Sequence, residues 1–346
     1  MMQRMSAEKL QDFTNKILLG MGARSEDATV VAEHLVQANL AGHDSHGVIR
    51  LPQYAQHARE GRLQPHQTVE IEQETTVTAR VNGNWTWGQV SATKAIDLAI
   101  EKAKAHGLAA VTARQCYHVG RVGVYPLRAA EQGLIAKVWC NGHGVVRVAP
   151  WGGTEPRLAT NPIAVAIPTD AKPILVDITT SVVAEGKVRL AKNQGNTVPD
   201  GWLLDRNGQP TNQPGDLYEG GSLLPFGGPV GHKGYALSLI VDLLGGLLSG
   251  AGCGAMAGVP VGNGLFIEVV DPQAFMRKQE YNQRMRQYIN YLKSSKPLQG
   301  VAEILLPGEP EFRTEEKRRA DGLELDDETW RQVCEVANSV NAPIPV

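Results

Sequence analysis

The stretch Gly42-His43-Asp44-Ser45-His46-Gly47-Val48-Ile49-Arg50-Leu51-Pro52 places an imidazole and a guanidinium four residues apart, just ahead of a proline. A histidine exchanges a proton near neutral pH, and an arginine holds a planar carboxylate through two parallel hydrogen bonds. Together they meet the two needs of a 2-oxo or 2-hydroxy acid, a proton at its oxygen and a clamp on its carboxylate. Ser45 and Tyr54 fall at spacings that cluster with His46 and Arg50 near one helix start. The positive end of such a helix favours a bound anion and a neutral imidazole. Alone, His46 would read as a hydrogen-bonded core histidine; the company it keeps argues for chemistry.

Other candidates follow segments that read as strands, where ligand sites lie in α/β sheets. Cys116-Tyr117-His118-Val119-Gly120 offers His118 as a second acid or base, and Asn141-Gly142-His143-Gly144 offers polar lining. Thr160, in Ala159-Thr160-Asn161-Pro162, and Asp177, after Ile174-Leu175-Val176, also sit at strand ends. A carboxylate at the position of Asp177 can orient a histidine and stabilise its charged form. Lys233, in His232-Lys233-Gly234 ahead of a long helix, can meet a phosphate or simply sit exposed.

His43 and His46 stand at i,i+3, but no cysteine or carboxylate cluster completes a zinc set, so no metal is expected. The rival reading is a metal-dependent hydrolase using His43, His46 and His118. Gly250-Ala251-Gly252-Cys253-Gly254-Ala255 loosely fits a dinucleotide fingerprint, yet it follows an apolar helix rather than a strand. No phosphate-binding Gly-x-x-x-x-Gly-Lys-Ser/Thr loop occurs either. A nucleotide enzyme with this sequence needs a different fold for its cofactor.

The elements that must position these residues can be read coarsely. Residues 6 to about 70 read as helical, with Leu10, Phe13 and Ile17 on one face, a stop at Gly20, Ser25 as the next N-cap, and Pro52 opening a third helix that runs to Gly61. From about 75, strand and helix alternate. Strands are expected at 77–81, 108–113, 134–140, 163–167, 174–178 and 265–270, and helices at 92–104, 124–131 and 233–248. From about 273 the chain turns helical and charged again, at 275–293 and 327–339, with the run Arg313–Arg319 as a solvated helix face. Two parts follow: a helical part from residues 1–74 and 273–346, and an α/β part from 75–272.

With 346 residues, 42% of them hydrophobic and 20% charged, the chain has a globular balance and room for two domains. A net charge of −2 argues against a nucleic-acid surface. The four cysteines, Cys116, Cys140, Cys253 and Cys334, are scattered and read as free thiols of a reducing cytoplasm. The polar start MMQRMSAEKLQDFTNK lacks the apolar core of a signal peptide. The longest apolar run, Tyr235–Ser249, is broken by Asp242 and two glycines and falls short of the roughly 20 residues a spanning helix needs. A cytoplasmic protein without a membrane partner is expected.

Taken in order, the segments Ser45-His46-Gly47-Val-Ile-Arg50-Leu-Pro-Gln-Tyr54, His118-Val-Gly120, Ala149-Pro-Trp-Gly-Gly153, Thr160-Asn161-Pro162, Asp177-Ile-Thr-Thr-Ser181, Gly186-Lys187, Pro199-Asp-Gly-Trp202, Leu224-Pro-Phe-Gly-Gly228 and Lys233-Gly234-Tyr235 span nearly the whole chain. This set resembles the malate/L-lactate dehydrogenase family that lacks the Rossmann fold. Members of that family include ureidoglycolate and sulfolactate dehydrogenases, diketogulonate reductase and piperideine-2-carboxylate reductase. The resemblance implies an α+β fold with a mixed, largely antiparallel sheet that binds NAD or NADP, and a homodimer with its site near the subunit interface. It also implies hydride transfer to the 2-carbon of a small 2-oxo acid, or alternatively of a cyclic 2-imino acid.

Carried over residue by residue, the resemblance makes His46 the proton donor and acceptor, with His118 competing for that role. Arg50 becomes the carboxylate clamp and Asp177 the group that orients or charge-balances the histidine, with Ser45, Tyr54 and Thr160 around the substrate. Asn141, the run Pro173, Ile174, Leu175, Val176, Asp177, Ile178, Thr179 and Thr180, then His232, Lys233, Gly308, Glu309 and Pro310 match cofactor-contacting positions. Ala159 stands where the family has glycine, and Ile178-Thr179 where it has Met followed by a small residue, which leaves the choice of acid open.

Overall fold

The computed structural model describes residues 3–345. The chain begins with strand β1 (Gln3–Met5) and helices α1 (Ala7–Gly20) and α2 (Ser25–Leu40). Ser6 caps α1, its hydroxyl accepting from Lys9 N at 3.2 Å. The cap of α2 is Arg24, one residue earlier than Ser25, and Ser25 is the first helical residue. Two short 3-10 turns (Asp44–His46 and Val48–Arg50) then lead into α3 (Leu51–Arg59), with Pro52 in its first turn, where a missing N–H costs nothing. Thus the segment read as continuous helix includes a tight turn at the residues of most interest. It also ends earlier than expected, because strand β2 (Glu70–Glu74) follows.

The central element is a seven-stranded sheet of order β2-β3-β4-β11-β5-β6-β7. Its members are β2, β3 (Thr78–Asn82), β4 (Leu108–Cys116), β5 (Ile135–His143), β6 (Ile163–Ile167), β7 (Ile174–Ile178) and β11 (Gly262–Val270). Only β3 and β4 pair in parallel; every other neighbouring pair is antiparallel. Strand β11 enters from late in the chain and separates β4 from β5. Helix α4 (Gly88–His106) packs across β3, β4 and β11, and α5 (Val124–Ala130) across β5 and β6. Helix α6 (Glu185–Asn193), not expected from the sequence, packs with a three-stranded sheet of β8 (Leu203–Leu204), β9 (Pro210–Thr211) and β10 (Ser222–Leu223) around Val188, Leu203, Leu217 and Leu223. Helix α7 (His232–Val241) runs on as a π-helical segment from Asp242 to Leu248.

The last part of the chain forms α8 (Lys278–Lys293), α9 (Glu309–Asp321), strand β12 (Leu323–Leu325) and α10 (Asp327–Ser339). Strand β12 pairs antiparallel with β1, and Leu323, Leu325, Val333 and Ala337 share one apolar core with Leu10, Phe13, Ile17, Leu35, Leu51 and Tyr54. The two ends of the chain therefore build a common helical core. Helix α8 lies elsewhere, against the β6–β7 turn, where the Tyr281 hydroxyl donates to Pro168 O at 3.0 Å. The charged run 313–319 lies on α9, which has no buried residue.

Candidate active site

The 3-10 turns carrying Ser45, His46 and Arg50 are held from two sides. On α2, the Asn39 side chain accepts from Val48 N at 3.0 Å and donates to Asp44 at 2.7 Å. A side chain at Gly47 would collide with Asn39, so the turn can pass only as glycine. On α9, Arg318 grips both oxygens of Asp44. Asp44 is thus an anchor of the turn. Arg50 donates Nε–H to Ser45 O at 2.6 Å and Nη1–H to Gln53 at 2.9 Å. Its Nη2 has no protein acceptor among the described residues, so part of the fork is available.

His46 Nδ1 lies 3.0 Å from the Ser45 hydroxyl, and its ring is stacked on that of His118, with centroids 5.8 Å apart and planes 20° from parallel. His118 lies two residues beyond the end of β4, and its Nδ1 is 2.7 Å from the buried Tyr54 hydroxyl on α3. Gln89 of α4 donates to the same hydroxyl at 2.8 Å. With its oxygen already taken as an acceptor, the Tyr54 O–H points to His118 Nδ1, which places the neutral ring's proton on Nε2. Both histidines are held neutral. Burial, with the Arg50 charge second, lowers His46 to about 3. The same two causes bring His118 well below its ordinary value. Burial pushes the Tyr54 hydroxyl up to about 12, so it stays a donor.

Asp177 corrects an expectation: it bonds neither histidine. Its Oδ2 accepts from Gly123 N at 3.0 Å and from Arg121 Nε at 3.3 Å. A Cβ at Gly123 would run into that carboxylate, so the loop closes on Asp177 only as glycine. Arg121 N donates to His34 Nε2 on α2 at 2.9 Å. Asp177 and His34 thereby pin opposite sides of the loop that begins at His118. Arg121, whose charge also depresses His46, was missed in the sequence, as was Gln89. Arginine in a Gly-Arg-Val-Gly loop looks solvated unless the aspartate 56 residues later is known to face it.

His34 is buried and lowered to about 3, with desolvation as the main cause. Its folded value lies below the unfolded 6.5, so protons favour the unfolded chain. The stability it contributes is present above about pH 6.5 and is lost as the pH falls toward 3, at up to about 1.4 kcal/mol per pH unit. Urea titrations at stepped pH should show this slope. His34→Gln, which keeps an acceptor for Arg121 N, should flatten the slope by one group's share.

The remaining candidates divide. Thr180 ties the Thr160 loop to the end of β7, donating to Thr160 O and Asn161 O. Pro173–Thr180 and Gly308–Pro310 come together: β7 is the sheet edge, and Leu175 N donates to Pro307 O at 3.0 Å. The Thr180 and Phe226 backbones bond at 3.0 Å, which brings the approach to α7 alongside, and Lys233 is exposed at its start. His232 is exposed too, edge-on to Trp151. Glu309 is not free, since Lys293 and Leu306 N occupy its carboxylate. Asn141 is also committed: fully buried, its side chain bonds Asp242, Gly252 O and Gly264 N. His43 lies 3.6 Å from Glu311 on α9, and no group of three metal-ligating side chains occurs among the described residues. No helix among them is long and apolar enough to cross a membrane.

A family profile described as malate/L-lactate dehydrogenase matches residues 5–334. Hydroxycarboxylate dehydrogenase B of Escherichia coli (strain K12) is 35% identical over 98% of this chain and 95% of its own. The structure of malate dehydrogenase from Pyrococcus horikoshii OT3 is similar at a TM-score of 0.90 and 35% identity, covering 99% of this chain and 97% of that one. That of delta1-piperideine-2-carboxylate reductase from Pseudomonas syringae pvar. tomato aligns at a TM-score of 0.85 and 31% identity, over 97% and 100% of the two chains.

Proposed function

The chain belongs to the malate/L-lactate dehydrogenase family, and on that premise we propose that it moves a hydride between NAD or NADP and C2 of a small 2-oxo/2-hydroxy acid. The observation that carries this reading is the stacked His46–His118 pair beside Arg50, whose Nη2 has no acceptor among the described residues. The residues that fit the cofactor are the edge-strand run Pro173–Thr180, the abutting Gly308 and Pro310, and the exposed Lys233 for phosphate. When bound, the nicotinamide gives or takes the hydride.

The protein's own part divides among four side chains. Arg50 pairs with the carboxylate. His118, fixed by Tyr54 with its proton on Nε2, donates a hydrogen bond to the reacting oxygen and polarises it. His46 moves the proton. It can take one on Nε2 while Nδ1–H keeps its bond to Ser45, whereas His118 would have to break its bond to Tyr54. Asp177 acts indirectly, by holding Arg121 and the His118 loop. Ser45 and Thr160 line the substrate, and Tyr54 orients His118.

An anion on Arg50 cancels the charge that opposes imidazolium at His46. Burial still acts on the ring, so binding takes up protons below the ordinary imidazole value of 6.5, and the affinity for oxamate should rise as the pH falls from there toward 3. Calorimetry in buffers of different ionisation heat reads this directly, and binding without proton uptake contradicts it. The activity itself is read by following reduced-nicotinamide absorbance with both cofactors against pyruvate, oxaloacetate, sulfopyruvate, glyoxylate derivatives and piperideine-2-carboxylate. Piperideine-2-carboxylate is included because a structural neighbour reduces that cyclic imino acid, by its name. Oxidation of the nicotinamide with no acid in the panel would refute the reading.

The two parts read from the sequence, 1–74 with 273–346 and 75–272, then meet at the site, which draws on α2, α3 and α9 from one and β4, α4 and β7 from the other, while β2 joins the central sheet and α8 packs on the β6–β7 turn. A homodimer completes the reading. Leu243, Leu247, Leu248 and Met256, along the π-helical segment and the loop after it, are exposed at 43%, 66%, 54% and 68%. An apolar run of that kind marks an interface, and we assign a second copy to it. Leu247→Glu should shift sedimentation from dimer to monomer; an unchanged mass contradicts that assignment. The four cysteines are free, as a reducing cytoplasm allows.

A further inference from the structure

We propose that Arg121 is a cofactor-binding residue whose free guanidinium N–H groups grip the carboxamide oxygen of the nicotinamide. This rests on the dehydrogenase reading and goes beyond it by naming the group that orients the ring.

The argument begins with unsatisfied donors. Arg121 is 6% exposed, and Nε bonds Asp177 at 3.3 Å, but neither Nη atom has an acceptor among the described residues and Nη2 is shut off from solvent. A buried donor without a partner costs about 1–3 kcal/mol, so such a group implies a ligand when it borders a site. The loop offers no slack to seek another acceptor: Arg121 N is held by His34, and Gly123 N by Asp177. Asp177 already balances the charge. The free N–H groups therefore call for a neutral acceptor oxygen rather than another anion, and a primary amide supplies one.

Position selects the nicotinamide over the acid. His46 lies under the influence of two guanidiniums, Arg50 and Arg121. Arg50 belongs to the turn that carries His46, and it takes the carboxylate. Arg121 stands instead with Asp177, at the end of edge strand β7. Hydride must reach C2, the carbon bonded to the oxygen that His46 serves, so the ring has to lie against the substrate. The Arg50 end is taken, and the Arg121 end adjoins the strand assigned to the cofactor.

The test compares NADH with ADP-ribose, which lacks only the nicotinamide. Binding of each to the free enzyme, by NADH fluorescence and by calorimetry for ADP-ribose, is measured in wild type, Arg121→Gln and Arg121→Lys. The proposal expects Arg121→Gln to weaken NADH about tenfold or more and to leave ADP-ribose within about twofold, the loss expected for one hydrogen bond to a charged donor. Arg121→Lys, which keeps a donor and the pairing with Asp177, should fall between. Retained ADP-ribose binding also reports an intact fold. Unchanged NADH affinity, or equal losses on both ligands, overturns the assignment. So does a selective loss of oxaloacetate turnover with NADH binding intact, which would make Arg121 a substrate residue. A wild type that binds neither NADH nor ADP-ribose would instead bring down the dehydrogenase reading itself.

Discussion

His46→Ala lowers turnover by about 10²–10⁴-fold, the range lost with a general acid or base, while NADH affinity in the absence of substrate stays within about twofold. The expectation comes from comparing two stacked imidazoles. The Tyr54–Gln89 relay fixes His118, which can donate but cannot accept a further proton without losing a buried bond. Among the described residues His46 is bonded only through Nδ1, to a hydroxyl that accepts as readily as it donates. Removing His46 takes away the proton path; removing His118 takes away one hydrogen bond to the oxygen. His118→Asn, which keeps an N–H donor, should therefore retain more turnover than His46→Asn. Steady-state rates for the three variants decide the matter. Equal or reversed losses would transfer the proton to His118.

Arg50→Met should raise the KM for the 2-oxo acid by about 100-fold or more, since a charge-assisted bidentate contact is lost along with its charge. Arg50→Lys keeps the charge without the fork and should raise KM by about tenfold. Arg50 also donates to Ser45 O, beside His46. Some fall in kcat is expected as the turn relaxes, smaller than the rise in KM. Initial rates across substrate concentrations separate the two. An unchanged KM in Arg50→Met would mean that the carboxylate is held elsewhere, and Arg50 would then be a purely structural brace of the turn.

The sequence exposed the chemistry of the site more readily than its wiring. His46, Arg50, Tyr54 and His118 stand out because a helix start and a strand end are local features, and the structure brings the rings of His46, Tyr54 and His118 together, with Arg50 bonded to Ser45 O beside His46. Asp177 was legible as a carboxylate at a strand end, but its partner was not. Arg121 and Gly123 face it across a sheet whose order depends on β11 arriving between β4 and β5. Alternation along a strand gives its faces and not its neighbours. Asn141 reads as a site residue because it follows a strand run, yet the π-helical segment covers it and its amide is spent on Asp242 and the backbone. Helix α6 escaped notice because its sequence, Glu185–Asn193, buries only Val188 and so lacks an apolar stripe. Both chain ends read as helical, and Arg318 of α9 reaches Asp44 in the turn that carries His46, a contact that no local pattern announces.

The claim on which the rest depends is that hydride arrives at C2 of a 2-oxo acid held between Arg50 and His46. The most direct measurement uses reduced nicotinamide cofactor carrying deuterium at both C4 positions, with the best acid of the panel, and locates the label in the product by NMR. The account predicts a 2-hydroxy acid with deuterium on C2, and no labelled product from His46→Ala on the same timescale. Product without deuterium at C2, or labelled product formed equally fast without His46, would contradict it.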